Sequence, residues 1–590
     1  MKIANGHDPA ARKPALFPRR SFMRLAILSI IAIISVLTMI WQIEFLNEKF
    51  NLNPGIPNVL LIFLTIIGIL VWSYWLFFSA RIRWLAVLVA GLPLLFVVFF
   101  HPDFGGDANI VGWKPRFWNH RPQLTLPSVG ESSLLDPLVD PLIYLRADLR
   151  STTPDDFPQF LGLNRDGKAT GVALSGDWKS QPPRLLWRQD IGEGWSGFAV
   201  VNGYAVTQEQ RGELECVTCY RVDDGQLVWI YASPRRHEDR VGLGKVGPRA
   251  TPTIDQGLVY TMGGTGILDC IDGSTGCLLW SQDIPALVGI TLTQTSNSMG
   301  LKFWEEDSTL MWGRAGSPLI YDDKVIVTAG GSRRSTEQTT TLIAFDRISG
   351  EEIWRGGNRM ISYGSPTLAI IAGDPQILLI TEDHAVGHHP ETGAELWSHL
   401  RPGNSGQDAN CSQVTPISEN QLLFSKGYNL GGEVIELSIN PTSQSFQVDV
   451  IAKDSRVLKT KLTNPVHDGQ FAYSLSDGFL ECVEIPGLRR RWKQRGRFGN
   501  GQILLVGDKL LIHSEDGELV LAEASPDSFQ PLGSIKTISG TCWNTISLVG
   551  NRVLVRSERE MACFELPLRS SVTAPTSVRT GSALNRESNQ

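Results

Sequence analysis

Between Leu185 and Pro567, short runs of alternating apolar and polar residues are separated by polar or glycine-bearing turns, and the pattern repeats. One copy reads Ala250-Thr251-Pro252-Thr253, then Leu258-Val259-Tyr260, then Gly266-Ile267-Leu268-Asp269-Cys270-Ile271-Asp272. It closes on Ser274-Thr275-Gly276-Cys277-Leu278-Leu279-Trp280. Alternation with period two marks half-buried strands. Four such strands in a unit of roughly 40 to 50 residues mark a β-propeller blade.

The spacing predicts inner strands at Ser196–Val201, Ala250–Ile254, Gly316–Ile320, Gly364–Ala369, Val414–Ile417, Thr463–Val466, Gln502–Val506 and Asn544–Val549. Each is followed by two further strands, but the last copy has no fourth strand before the chain tail. An unassigned strand, Leu185–Gln189, precedes the first copy and carries the Leu-Leu-Trp seen at Leu278–Trp280. Assigning it to the last blade closes the ring and pairs an otherwise exposed edge. The expectation is an all-β, eight-bladed propeller over 157–568. Seven blades is the fallback, because the fifth and seventh copies lack the Trp.

The first hundred residues follow another pattern. Apolar runs at 25–43, 59–78 and 84–100 are each near the length of about 20 residues that a helix needs to cross a bilayer. Three transmembrane helices are expected, and two spans after the first argue against a cleaved signal peptide. Arg12, Lys13, Arg19, Arg20 and Arg24 precede the first run, and Arg81 and Arg83 lie between the second and third. The positive-inside rule then places the N-terminal segment 1–24 in the cytoplasm and the propeller outside it, periplasmic or extracytoplasmic, on an inner-membrane protein. Residues 101–156 read as a linker, and 569–590, rich in Ser, Thr, Arg and Asn, as a disordered tail.

The formal charge of −6 carries no sequence-wide basic bias, so nucleic acid is not an expected partner. Gly225/Trp229, Gly276/Trp280, Gly350/Trp354 and Gly393/Trp397 form Gly-x-x-x-Trp closures. These resemble the pyrroloquinoline-quinone (PQQ) repeat of quinoprotein-type propellers, and Phe157-Pro158-Gln159-Phe160-Leu161-Gly162-Leu163-Asn164-Arg165-Asp166-Gly167 resembles the lead-in of bacterial PQQ-like proteins. In these closures glycine permits a positive φ and Trp packs between blades. Trp187, Trp229, Trp280, Trp354, Trp397 and Trp492 are therefore structural blade-closure residues.

The resemblance implies either of two functions. A membrane-tethered PQQ-dependent dehydrogenase oxidising alcohols or sugars would carry PQQ and Ca²⁺. The chain has no vicinal Cys-Cys pair and no Cys-x-x-Cys-His haem motif, which departs from the methanol-dehydrogenase type. The other function is a scaffold without catalysis, as in the propeller subunit of the outer-membrane β-barrel assembly machinery, which implies no cofactor and an extracytoplasmic protein or peptide as partner.

The candidate chemistry is sparse. Cys216 and Cys219, three apart on a strand, face opposite ways and do not converge on one metal ion. Cys270, Cys482 and Cys563 recur at one repeat position and read as core, and His384, His388 and His389 as surface or interblade packing. Loop length is more informative. The long connections, Ala232–Arg249, Pro285–Ala315, Gly330–Thr340, Arg401–Gln413 and Lys426–Gly432, all emerge on one face. There Trp195, Arg235, Arg236, Arg249, Trp312, Arg314, Arg333 and Arg334, with Lys245 and Trp304, form the candidate binding face for an acidic peptide, glycan or partner protein. No catalytic residue and no metal ligand is expected.

Overall fold

A computed structural model describes residues 146–569 except 240–243, 298–299 and 407, together with short pieces between 63 and 143. The three apolar runs expected to span a membrane lie almost entirely outside the described residues. Among those described, no helix is long and apolar enough to cross a membrane. The third run is followed by a hairpin, Phe100–Phe104 with Ile110–Pro115, so its last residue begins a strand.

Eight antiparallel sheets of four core strands follow one another along the chain. Blade 1 comprises Ala199–Val201, Tyr204–Arg211, Leu214–Arg221 and Leu227–Ser233, extended outward by Leu142–Ile143, a strand from the stretch read as linker. The inner strands of blades 2 to 8 are Thr253–Asp255, Leu319–Tyr321, Thr367–Ile371, Thr415–Pro416, Val466–His467, Gln502–Val506 and Ser547–Val549. Blade 8 takes its outermost strand, Arg184–Asp190, from ahead of blade 1, paired with Glu560–Glu565. Eight blades therefore form, and the Trp-less blades 5 and 7 are complete four-stranded units.

Seven of the eight inner strands begin one to three residues later than the alternation predicts, and the physical reason is cross-blade bonding. The residues just before each ladder spend their amides on the neighbouring blade. Gly197 N donates to Thr251 Oγ1 (3.2 Å), Thr251 N to Ser317 Oγ (3.0 Å), and Ser317 N to Ser365 Oγ (3.0 Å). Gln413 N donates to Asn464 Oδ1 at 2.7 Å, and Asn544 Nδ2 closes the circle on Ser196 O at 2.9 Å. Buried amides need partners, and here they fasten blade to blade.

The outer rim is fastened by the closures. Each closure glycine is a seat for the Trp of the preceding blade. A Cβ at Gly225 would stand 2.8 Å from Trp187, at Gly276 2.8 Å from Trp229, and at Gly350 2.6 Å from Trp280, with Gly393 seating Trp354 in the same way. The indole nitrogens donate across the same junctions, Trp187 to Val222 O (2.7 Å), Trp229 to Gly273 O (2.9 Å), Trp280 to Arg347 O (3.2 Å), Trp354 to Pro390 O (3.1 Å) and Trp492 to Ser525 O (2.9 Å).

Within its own blade each Trp pairs with a small residue on the third strand: Cys563, Cys219, Cys270, Ala344, Gly387 and Cys482 face Trp187, Trp229, Trp280, Trp354, Trp397 and Trp492. The recurrent cysteines make room for an indole. Two junctions improvise. Trp397 donates to Gln376 of its own blade, and Trp178, from the N-terminal segment, packs over Gly533 of blade 7.

Candidate functional site

Among the described residues, the long connections on the elaborated face touch one another. Leu292–Ser296 and Lys302–Glu306 form a hairpin inside the connection from blade 2 to blade 3. Trp304 N donates to Arg236 O and Arg333 N to Asp307 O, both at 2.9 Å. Lys426 Nζ reaches Pro402 O at 2.8 Å. The opposite face is built of tight turns, such as Asn202-Gly203, Gln256-Gly257 and Ala372-Gly373, with positive φ at both positions.

At the channel mouth on the elaborated face, aromatic rings form an arc across several blades. Trp195 and Trp543 lie four residues before the inner strands of blades 1 and 8, and their ring centroids are 4.6 Å apart. Trp195 Nε1 donates to Gly244 O (3.1 Å), and Trp543 Nε1 to Glu515 Oε1 (2.8 Å). Lys245 Nζ sits 5.6 Å from each centroid and donates to Thr541 Oγ1 at 3.0 Å. A cation over two indole faces is an attractive arrangement.

Gly244 continues the arc. Its carbonyl also accepts from Arg249 Nη2 (2.6 Å), and a Cβ there would stand 2.7 Å from Trp312. Trp312 packs on Tyr363 at 5.7 Å, and the Tyr363 hydroxyl donates to Ser405 O at 2.9 Å. Burial lowers the Arg249 guanidinium to about 10. Close by, burial raises the Glu215 carboxyl to about 7 and that of Asp269 to about 6.

The structure divides the sequence-predicted face into three sets. Trp195, Arg249 and Trp312 come together at the mouth with Lys245. Arg235 lies outward, 4.8 Å over Trp304 and 3.6 Å from Asp283, while Arg333 and Arg334 are exposed, Arg334 reaching Asp307 at 3.5 Å. Arg236 and Arg314 are buried and structural. Arg236 pairs with Glu238 (2.8 Å), and Arg314 pairs with Glu306 (3.2 Å) and donates to Ala329 O (2.7 Å). A burial of this depth places both guanidiniums inside the loop base, out of reach of a partner.

Sequence reasoning missed Trp543 and Tyr363. Both stand four residues before an inner strand, as do Trp195 and Arg249. The signal for both is that shared register position, which the spacing of Trp four residues after Gly does not mark.

The resemblance implies calcium and a quinone. Among the described residues, no three His, Cys, Asp or Glu side chains converge as a metal site requires. Cys216 and Cys219 lie in separate apolar clusters, and burial raises both thiols. His388 Nδ1 bonds Gly393 O (2.9 Å), while His384 pairs with Asp383 (2.8 Å).

No curated protein matches the chain. Among solved structures it is similar to BamB from Moraxella catarrhalis, at 14% identity over 65% of this chain and 100% of that one, with a TM-score of 0.44. It is also similar to the quinohemoprotein alcohol dehydrogenase of Comamonas testosteroni, at 14% identity over 75% and 83%, with a TM-score of 0.49. A europium-containing methanol dehydrogenase matches at 10% identity over 70% and 98%, with a TM-score of 0.42. Residues 215–494, from the third strand of blade 1 to the end of blade 6, match the family described as outer membrane protein assembly factor BamB.

Proposed function

We propose that the chain is a membrane-anchored recognition propeller without catalysis of its own. The runs 25–43, 59–78 and 84–100 hold it in the inner membrane with the N-terminus cytoplasmic, and the propeller outside the cytoplasm receives an acidic segment of another protein. Residues 63–64 and 66–68 of the second run and 95–96 and 98–99 of the third are helical and present bare apolar side chains, Phe63 at 60% exposure and Leu95 at 52%, which supports the anchor. The family match of residues 215–494 supports a role in protein assembly.

The arc at the mouth carries the reading: half-buried Trp543, Trp312, Lys245 and Arg249 present its surface, and buried Trp195 and Tyr363 support them from beneath. Rigid aromatics with interspersed cations anchor peptides at low entropic cost, and rim charges such as Arg333 and Arg334 steer an acidic partner in. A photo-crosslinking residue at Arg334 in cells is expected to give a discrete adduct with one protein, lost when Trp543→Ala and Lys245→Glu are combined. The same residue at Ala372, on the trimmed face, should give none. Equal adducts from both faces would overturn the proposal. So would dye-linked alcohol or sugar oxidation appearing on addition of PQQ and Ca²⁺.

A further inference from the structure

The trimmed end of the channel is crossed by the lead-in segment. Phe157 pairs with Val200 of blade 1, Pro158 O accepts from Ile254 N of blade 2, and Arg165 donates to Pro318 O (2.8 Å) and Ser317 O (3.1 Å) before blade 3. Gln413 Nε2 of blade 5 donates to Arg165 O at 3.0 Å, and Lys168–Ala169 run parallel to Leu505–Val506 of blade 7. Leu161 and Arg165 hold φ of 61° and 55°, left-handed conformations that L side chains rarely adopt. Strain of this kind persists where surrounding contacts over-determine it and gathers at functional sites.

Between this strap and the inner strands of blades 4 to 6 lies a cavity of about 330 Å³. Its wall holds Arg165, Asp166, Lys168, Gln413 and His467. Arg165 is 4% exposed, and its three bonds go to neutral oxygens, the third being Gln159 Oε1 at 3.1 Å. Its Nε has no partner, and no carboxylate forms an ion pair with it among the described residues. Burial lowers the guanidinium to about 9, the direction expected of an uncompensated charge. His467, 3.4 Å from Lys168 Nζ, is held down to about 4 by burial and the lysine charge, so it is neutral near pH 7. Lys168 is offset by Asp166 at 3.9 Å, leaving the wall one positive charge in excess.

We infer that this cavity is a second binding site, independent of the elaborated face, and takes a small monoanionic hydroxycarboxylate. The carboxylate supplies the countercharge Arg165 lacks, since a buried charge without a partner is costly. Gln413 Oε1, buried and without a donor, would accept from the ligand hydroxyl. Asp166 on the same wall disfavours a phosphate dianion by like-charge repulsion.

The test uses the full chain in detergent with sodium glycolate and sodium lactate, against sodium chloride and phosphate at equal ionic strength. Calorimetric titration and thermal unfolding are expected to show saturable binding of glycolate or lactate and none of chloride. Lys168→Met should weaken that binding about tenfold, because it removes the wall's excess positive charge and leaves Asp166 uncompensated beside the ligand. Arg165→Met should abolish it, and because that variant risks the strap, the lysine variant is decisive. Trp543→Ala should leave it unchanged. No saturable response, an equal response in Lys168→Met, or phosphate binding as tightly as glycolate would overturn the site.

Discussion

Trp280 of blade 2 lies against the backbone of Gly350 in blade 3, so close that a Cβ at Gly350 would stand 2.6 Å from the indole. The same glycine holds φ at 73°. Gly350→Ala therefore meets both a left-handed backbone and a rigid ring. Together these should cost about 2–4 kcal/mol, read as a lower urea midpoint. Trp280→Ala should itself cost about 3 kcal/mol. The double variant should cost clearly less than the sum, because removing the indole relieves the clash; strict additivity would show that the seat is not what the glycine provides.

The clasp of blade 8 depends on Trp187, which seats on Gly225 and donates to Val222 O. Trp187→Ala should loosen the ring at this junction before any other. Limited proteolysis is expected to cut first within 146–190 and 544–569. Trp354→Ala, of identical chemistry at an interior junction, should leave those segments protected.

Blade 5 offers no seat glycine to Trp397, and its junction with blade 4 holds an ionic cluster. Glu433 accepts from Arg401 (2.7 Å), lies 3.1 Å from His399 Nε2 and lies 3.4 Å from Lys453. Burial pushes this carboxyl up, but the His399 bond and the Arg401 and Lys453 charges outweigh it and hold the group at about 2. A carboxylate depressed on folding stabilises the fold above its ordinary value near 4.5, and that contribution disappears as pH falls toward about 2. Glu433→Gln should flatten the acid limb of a thermal-stability profile in that window. It should also cost about 3–5 kcal/mol at neutral pH by leaving Arg401 buried without an anion.

Glu215 has the opposite sign. Burial lifts it from 4.5 to about 7, so the stability it contributes is complete below 4.5 and is lost as pH rises through about 7. Glu215→Gln should therefore stabilise the propeller at pH 8, by on the order of 3 kcal/mol, and change little at pH 4. Unfolding midpoints at the two pH values check this; an equal shift at both would point to packing rather than charge.

Much of the fold was legible because its rules are local. Alternation, turn glycines and the recurrent Trp gave eight units, and Leu-Leu-Trp at 185–187 marked the strand that completes the last one. Trp178 over Gly533 was not legible, since the two are brought together only by the ring. At the candidate site, Trp195, Arg249 and Trp312 stood out by residue type and loop position, while Trp543 and Tyr363 needed the register of the inner strands. Arg236 and Arg314 looked like their exposed neighbours, because a sequence does not show which arginine will find a buried glutamate. In the sequence Arg165 is one residue of the lead-in motif. Its missing counterion becomes visible once the strap and blades 3 and 5 surround it.

The pairing of Arg184–Asp190 with Glu560–Glu565 also sets an order in time. A strand among the first of the propeller to leave the ribosome has its partner among the last. Until then the nascent chain presents two open sheet edges and an unclosed channel. Contacts so distant along the chain form slowly, and exposed edges invite pairing with other chains. Synthesis of this protein thus passes through an interval, nearly as long as translation of the propeller itself, in which a holding factor would have an edge to grip. A chain stopped short of Glu560 would remain in that condition.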